Sequence, residues 1–173
     1  DYIDKTGLIA LLNDRIDTVK SLVCISRPRR FGKSYTAKML CAYYDQSCDS
    51  RSLFSDLEIA HDPLFEKHLN KYPVIYLDMS DFVTRFKDET IVGKMDKELV
   101  EDVHKAYSDV PTEEKDDLMK YLIRVVEAKG QQIIFIIDEW DAICREFKTG
   151  TKAMDEYVDW LRRMFKGGKS SDV

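Results

Sequence analysis

The chain has 173 residues, which is the length of one ordinary α/β domain. Hydrophobic residues make up 44% of the sequence and charged residues 34%, a composition that excludes intrinsic disorder as a description of the whole chain. The 27 Lys and Arg residues against 32 Asp and Glu residues give a net charge of −5, which disfavours binding to nucleic acid through bulk charge.

The N-terminal part of the chain predicts a helix, a strand, a loop and a second helix. Apolar residues at helical spacing over 8–16 predict the first helix, and the apolar run Leu22–Ile25 predicts a buried strand. After Lys33 the apolar spacing is helical again, and the polar cluster Asp45–Ser52 ends that helix. The predicted order is therefore strand, loop and helix around residues 26–33.

Two further strands are predicted after residues 53–71, which look irregular. Pro73–Asp78 predicts a strand that begins at its proline, and Gln131–Ile137 predicts one that is buried on both faces at the centre of a parallel sheet. The apolar run inside the latter is much shorter than the roughly 20 residues that a membrane-spanning helix needs, so we expect no membrane partner.

Three amphipathic helices complete the pattern. Their apolar faces lie within residues 92–107, 118–126 and 154–165, and Pro111–Glu114 is expected to open the second of them. Strands that alternate with helices predict right-handed crossovers, a mainly parallel sheet and helices on both faces. The fold class expected from the sequence is therefore α/β.

The predicted loop between the first strand and the next helix contains the motif Gly32-Lys33-Ser34. In this context a glycine lets backbone N–H groups approach phosphate oxygens, a lysine adds a positive charge and a serine hydroxyl can bind Mg²⁺. The complete phosphate-loop pattern has glycine five positions before Gly32, whereas this chain has Arg27 there. An isolated motif of this kind can also be a surface turn.

A second motif, Asp138-Glu139, follows the predicted central strand. An acid at the carboxyl end of a strand beside the phosphate loop can bind the water shell of Mg²⁺, and a glutamate after it can polarise an attacking water. The alternative is a polar strand end that caps the next helix. No N-K-x-D segment is present to read guanine, because Asn70-Lys71 is followed by Tyr72-Pro73, with proline where the motif has aspartate, so adenine is favoured.

Together these motifs resemble the predicted AAA-ATPase, or AAA-ATPase-like, proteins of bacteria and archaea, over nearly the whole chain. The segments that carry the resemblance are Tyr2–Thr6, Arg27–Ser34, Lys71–Ile75 and Ile136–Asp141. In that family the first glycine of the loop is typically replaced in the same way, so Arg27 resembles a family trait. The resemblance implies that Lys33 and Ser34 bind phosphate and Mg²⁺, that Asp138 holds the metal through water and that Glu139 is the catalytic base.

The resemblance also implies a larger context. It predicts a P-loop NTPase three-layer αβα sandwich over residues 1–173, as the N-terminal part of a longer protein and truncated before the last core strands. Such domains often precede a PD-(D/E)XK nuclease-like domain, which would bring nucleic acid as a partner. AAA-type kinship also makes homo-oligomers an expectation.

We predict that the nucleotide contacts lie in one segment, with Lys33 also catalytic and with Ser34 and Asp138 as metal ligands. This phosphate-binding segment consists of Arg29, Arg30, Phe31, Gly32, Lys33, Ser34 and Tyr35. The two arginines could neutralise transition-state charge, or they could form a solvated basic loop. The segment Asp4–Thr6 is interpreted as structural, against the alternative of a direct nucleotide contact.

Two hypotheses for function follow. The first is a Mg-dependent ATPase domain that couples nucleotide state to conformational change and serves an attached nuclease-like domain, with ATP and Mg²⁺ as cofactors. The second is a nucleotide-gated switch with little or no hydrolysis, because Arg27 replaces a glycine. A small-molecule kinase is disfavoured by Glu139, and a plain interaction module would make every motif a coincidence. Four cysteines without a C-x-x-C pair predict a reducing, cytoplasmic setting.

Overall fold

The structure is a computed structural model that describes residues 3–26 and 32–166. The chain divides into two compact units, unit 1 with Asp1–Leu77 and Gln132–Asp138, and unit 2 with Asp78–Gln131 and Glu139–Val173. The elements are α1 (Gly7–Asn13), α2 (Lys33–Tyr44), α3 (Arg51–Phe54), a 3-10 helix (Glu58–His61), α4 (Phe65–His68), β1 (Val74–Asp78), α5 (Met79–Arg85), α6 (Ile91–Ala106), α7 (Leu118–Lys129), β2 (Ile134–Asp138), α8 (Ala142–Glu146) and α9 (Lys152–Lys166).

Unit 1 contains a small parallel sheet in which β1 pairs with β2. The backbone N–H of Ile134 donates to the carbonyl of Pro73 at 3.0 Å, at the start of the pairing. Both strands were predicted, and both are confirmed. Residues 134–137 of β2 are only half-buried. The prediction of a central strand covered on both faces is wrong, since a sheet of two strands among the described residues has no central position.

The predicted strand over Leu22–Ile25 is also wrong. Residues 21–26 have no regular secondary structure, and the side chains of Leu22 and Val23 are 58% and 49% exposed. A short apolar run becomes a buried strand only where a sheet edge pairs with its backbone and another layer covers its side chains. Neither condition is met at this run within the described part of the chain.

The core of unit 1 lies where α1 and α2 meet the short helices of residues 51–68. Ile9, Tyr43 and Phe65 are buried in it. The Tyr43 hydroxyl donates to the Phe65 carbonyl at 2.9 Å and accepts from Nδ2 of Asn13 at 3.2 Å, and burial raises its pKa to about 12. Residues 53–71 were expected to be irregular, whereas α3, the 3-10 helix and α4 give them short helical turns.

Unit 2 is helical, and its three long helices confirm the predicted amphipathic pattern. The faces buried by α6, α7 and α9 centre on Met95, Tyr121 and Tyr157. Helix α7 begins at Leu118 and not near Pro111, because the Asp117 side chain caps it by accepting from the backbone N–H of Lys120 at 2.9 Å.

Among the described residues, no helix combines the length and apolar character that crossing a bilayer requires.

Candidate functional site

Gly32 and the first turn of α2 form the best-defined part of the predicted site. Gly32 has φ = +76°, a left-handed conformation that favours glycine, and it is the residue that precedes α2. Its carbonyl accepts from both the backbone N–H (2.9 Å) and the hydroxyl (3.0 Å) of Thr36. Lys33 and Ser34 are therefore the first residues of a 12-residue helix, at the end where N–H groups lack helical partners and the dipole is positive.

The end of β2 supplies the predicted acid. Asp138 is the last residue of β2, it is 6% exposed, and its Oδ2 accepts from the hydroxyl of Tyr76 on β1 at 3.2 Å. Helix α2 packs against β2 within unit 1. The structure thus places Lys33, Ser34 and Asp138 on two elements that are in direct contact.

Glu139 follows Asp138 in the chain and has its described partners in unit 2. It has φ = +49°, an unusual backbone conformation for a residue with a side chain. Nη2 of Arg145 donates to its Oε2 at 2.7 Å, and Nη1 of the same arginine donates to both carboxylate oxygens of Asp141 at 2.8 Å. Hydrogen bonding to Glu139 is the main cause of the raised pKa of Arg145.

Arg145 is a residue that sequence reasoning missed. Its spacing of four from Asp141 is the usual signal of a helical ion pair, and that signal could have identified it. The other acid that Arg145 contacts is Asp141. It precedes α8 without a side-chain capping bond, and its carboxylate pairs with Arg145.

The other predicted residues fall into two groups. Arg29, Arg30 and Phe31, like Arg27, lie outside the described residues. Tyr35 is described, in the first turn of α2, and its side chain is 67% exposed. Its predicted contact with a nucleotide stays a prediction.

The segment Asp4–Thr6 lies beside the glycine of the motif. A Cβ built with ideal geometry on Gly32 would be 3.6 Å from Nζ of Lys5. The side chain of Lys5 is exposed, whereas Thr6 is fully buried. Lys5 and Gly32 are therefore neighbours in unit 1.

The oxygen donors near α2 and β2 suit Mg²⁺ better than a transition metal. The described residues hold no group of three or more His, Cys, Asp and Glu side chains that could bind a metal by themselves. Mg²⁺ does not need such a group, because it keeps several waters and commonly takes one or two protein oxygens together with substrate phosphates. The hydroxyl of Ser34 and the carboxylate of Asp138 are donors of this kind.

The profile of the AAA-ATPase-like family, described as "Predicted AAA-ATPase", matches residues 1–173. The chain belongs to this family. Membership supports nucleotide binding in general and an α/β fold of the P-loop kind. It also confirms the resemblance that the motifs indicated.

The chain is also similar in sequence to part of a much longer curated protein. The chain is 25% identical, over 175 aligned positions, to a protein of Azotobacter chroococcum mcd 1 described as an uncharacterized protein in the vnfD 5′ region. The alignment covers 99% of this chain and 31% of the relative, so the chain spans about a third of that protein's length. No solved structure matches the chain.

Proposed function

We propose that this chain binds ATP together with Mg²⁺ and hydrolyses it, and that it couples the state of the nucleotide to conformational change. The observation that carries the proposal is the left-handed Gly32 at the start of α2, with Lys33 and Ser34 as the first helical residues. This arrangement supports phosphate binding, since it combines close backbone approach, helical N–H donors and a cationic side chain.

Each residue has a specific role in this proposal. The backbone after Gly32 and the ammonium of Lys33 would bind the β and γ phosphates. Ser34 and Asp138 would hold Mg²⁺, which when bound neutralises phosphate charge. Glu139 would accept a proton from the attacking water, and Arg29, Arg30, Phe31 and Tyr35 would complete the nucleotide contacts.

The second candidate is a nucleotide-gated switch with little hydrolysis. The ion pair between Arg145 and Glu139 favours it, because a carboxylate oxygen that accepts from a guanidinium is less able to accept from water at the same time. Arg27 in place of the first glycine of the pattern favours it too. Both candidates require ATP binding, and they differ in turnover.

Substitution of Glu139 separates the two candidates. We expect Glu139→Gln to keep affinity for ATP with Mg²⁺ and to lower phosphate release by about a hundredfold or more, the usual contribution of a general base. Glu146→Gln, at the exposed end of α8, is the matched control and should release phosphate like the unsubstituted chain. Saturable binding without turnover in the unsubstituted chain would establish the switch.

The wider setting also belongs to the proposal. We infer a three-layer αβα sandwich, supported by the parallel pairing of β1 with β2 across intervening helices. We further infer a cytoplasmic location, homo-oligomers and service to an attached nuclease-like domain that contacts nucleic acid. Size-exclusion chromatography with and without ATP tests the homo-oligomers, since ring-forming ATPases change their elution with nucleotide.

A further inference from the structure

Tyr76 on β1 makes a hydrogen bond to the predicted metal ligand on β2. Its hydroxyl donates to Oδ2 of Asp138 at 3.2 Å, across 62 positions of the chain. Tyr76 is half-buried in the middle of β1, and Asp138, the last residue of β2, is 6% exposed. A carboxylate as buried as this one is stabilised by the hydrogen bonds that it accepts, and the pairing of β1 with β2 supplies this bond.

The side chains of Tyr76 and Asp138 lie on the face of the sheet that α2 covers. Val74 and Ile136 pack against the core cluster that contains Leu40 of α2. Because side chains alternate between the two faces of a strand, residues 74 and 76 of β1 share a face, and so do residues 136 and 138 of β2. The hydrogen bond between Tyr76 and Asp138 is therefore on the same side of the sheet as α2.

Helix α2 has its first turn toward the carboxyl ends of these strands. The carbonyl of Tyr44, its last residue, accepts from the backbone N–H of Tyr72 at 3.0 Å, just before β1 begins. Helix α2 also packs against β2, so it runs back along the sheet from that point. The helix rises about 15 Å between Tyr44 and Ser34, and an extended chain covers about 13 Å between Tyr72 and Tyr76. Ser34 therefore lies toward the same end of the sheet as Asp138.

A hydroxyl is well suited to orient a carboxylate that binds a cation. As a neutral donor it fixes the carboxylate and leaves the negative charge in place, whereas an ammonium or a guanidinium would offset that charge. Carboxylates that bind metals are commonly held by such hydrogen bonds, and loss of one typically lowers metal affinity about 10- to 100-fold. Mg²⁺ takes few protein oxygens and demands near-octahedral geometry, so the orientation of each oxygen matters.

We infer that Tyr76 is a positioning residue for Mg²⁺, because its hydroxyl holds the carboxylate of Asp138 in the orientation that receives the water shell of the ion. This inference rests on the proposed function, in which Ser34 and Asp138 bind Mg²⁺ together with ATP. It adds a residue of β1 to a site that the motifs assign to α2 and β2. The alternative is that the bond only ties the two strands together, in which case it contributes to stability and not to metal binding.

Calorimetric titration of ATP into the 173-residue chain, with saturating Mg²⁺ and separately in EDTA, distinguishes the two roles. We expect Tyr76→Phe, which keeps the ring and removes the hydroxyl, to weaken ATP binding about tenfold in Mg²⁺ and to leave it unchanged in EDTA. Tyr72→Phe is the matched control, because Tyr72 is also half-buried and its hydroxyl lies 2.7 Å from Nδ1 of His68. This control should bind ATP like the unsubstituted chain in both conditions, and circular dichroism confirms that each variant is folded.

A double substitution tests whether Tyr76 acts through Asp138. The carboxylate is absent in Asp138→Ala, so the addition of Tyr76→Phe should cause no further loss of ATP affinity in Mg²⁺. Mn²⁺, which also binds oxygen ligands, provides a second readout. The electron paramagnetic resonance spectrum of Mn²⁺ bound with ATP should change in Tyr76→Phe and stay the same in Tyr72→Phe. An unchanged spectrum in Tyr76→Phe would overturn the inference.

The outcomes separate this inference from the proposed function. If Lys33→Ala abolishes binding of ATP with Mg²⁺ and Tyr76→Phe leaves it unchanged, the role of Tyr76 is overturned and the proposed function stands. Equal weakening of Tyr76→Phe in Mg²⁺ and in EDTA would also overturn that role, since the hydroxyl would then support the fold and not the ion. Absence of ATP binding in the unsubstituted chain would overturn the proposed function, and the role of Tyr76 with it.

Discussion

The guanidinium of Arg145 donates to the carboxylate of Glu139 at 2.7 Å, six residues earlier in the chain. The same guanidinium also holds Asp141, so one arginine bridges two of the acids that follow β2. Glu139 is the residue that we propose as the base for ATP hydrolysis. In the structure, Oε2 of Glu139 therefore already accepts a hydrogen bond from Arg145. The attacking water has to displace this bond or share the oxygen with it.

Removal of Arg145 should raise the rate of hydrolysis. A partly exposed ion pair is worth at most about 1 kcal/mol, so we expect Arg145→Ala to increase the turnover of ATP by no more than about fivefold, with affinity unchanged. Steady-state phosphate release measures this rate. Arg145→Lys keeps a cation near both acids and should stay close to the unsubstituted rate. A fall in turnover as large as that of Glu139→Gln would show instead that Arg145 orients the base.

Alanine at Gly32 should weaken both folding and nucleotide binding. The left-handed conformation there costs a residue with a Cβ about 1 kcal/mol, and the new methyl group would stand between the backbone and a phosphate. Gly130 ends α7 with φ = +60° and has open space around it, so Gly130→Ala is a matched control. We expect similar losses of unfolding free energy in urea for both variants, and a tenfold or greater loss of ATP affinity only for Gly32→Ala. Equal affinities would contradict this account of the glycine.

Trp160 should contribute far more to stability than Trp140. The indole N–H of Trp160 donates to Asp96 at 2.8 Å from a side chain that is 2% exposed, whereas Trp140 is 48% exposed. Trp160→Phe leaves the half-buried carboxylate without that donor and removes core volume, for a loss of about 2–3 kcal/mol. Trp140→Phe should change the unfolding free energy by less than about 0.5 kcal/mol. Urea unfolding followed by circular dichroism measures the unfolding free energy of both variants. Equal losses would contradict the larger contribution of Trp160.

Mild acid should destabilise unit 1 through His68. This side chain is 1% exposed, and its Nδ1 is 2.7 Å from the hydroxyl of Tyr72. Its Nε2 has no hydrogen-bond partner among the residues that the structure describes. Desolvation, with the charge of Lys67, lowers the pKa of His68 below its ordinary 6.5. The unfolded chain therefore binds a proton more readily than the folded one, and the unfolding free energy falls as the pH drops below about 6.5.

Urea unfolding at pH 7.5, 6.5 and 5.5 measures this dependence. Replacement of the imidazole in His68→Gln should remove part of the loss that the unsubstituted chain shows between pH 6.5 and 5.5. His61 is exposed on the 3-10 helix, so His61→Gln should retain the whole loss. The same pH dependence in all three proteins would exclude His68 as its source.

The spacing of apolar residues along the sequence correctly predicted the long helices and the two strands. The amphipathic spacing over residues 92–107 became α6, and the apolar run before Asp138 became β2, because helical periodicity and β-branched runs carry their own evidence. Leu22–Ile25 has an equally apolar sequence, yet it forms no strand. Whether such a run forms a strand depends on whether a sheet edge lies near enough to pair with its backbone. That proximity is set by residues far away in the chain, so it cannot be predicted from the local sequence.

The site shows the same division between local and long-range information. Gly32-Lys33-Ser34 could be placed at a helix start from the motif alone, and the structure places it there. That Lys5 lies near Gly32 could not be predicted, because Lys5 is 27 positions earlier in the chain and the bonds that Asp4 and Thr6 make to the 3-10 helix fix the backbone around it. The ion pair between Arg145 and Asp141 could have been predicted from their spacing of four residues. The bond from Arg145 to Glu139 could not, because it depends on the unusual backbone conformation of Glu139.

The central claim is that the first turn of α2 binds the phosphates of ATP, and calorimetry tests it most directly. Titration of ATP with Mg²⁺ into the unsubstituted chain should give saturable binding at one site. We expect Lys33→Ala, confirmed as folded by circular dichroism, to reduce affinity about a hundredfold, and Lys38→Ala to leave it unchanged. No binding by the unsubstituted chain, or equal affinity in Lys33→Ala, would contradict the claim.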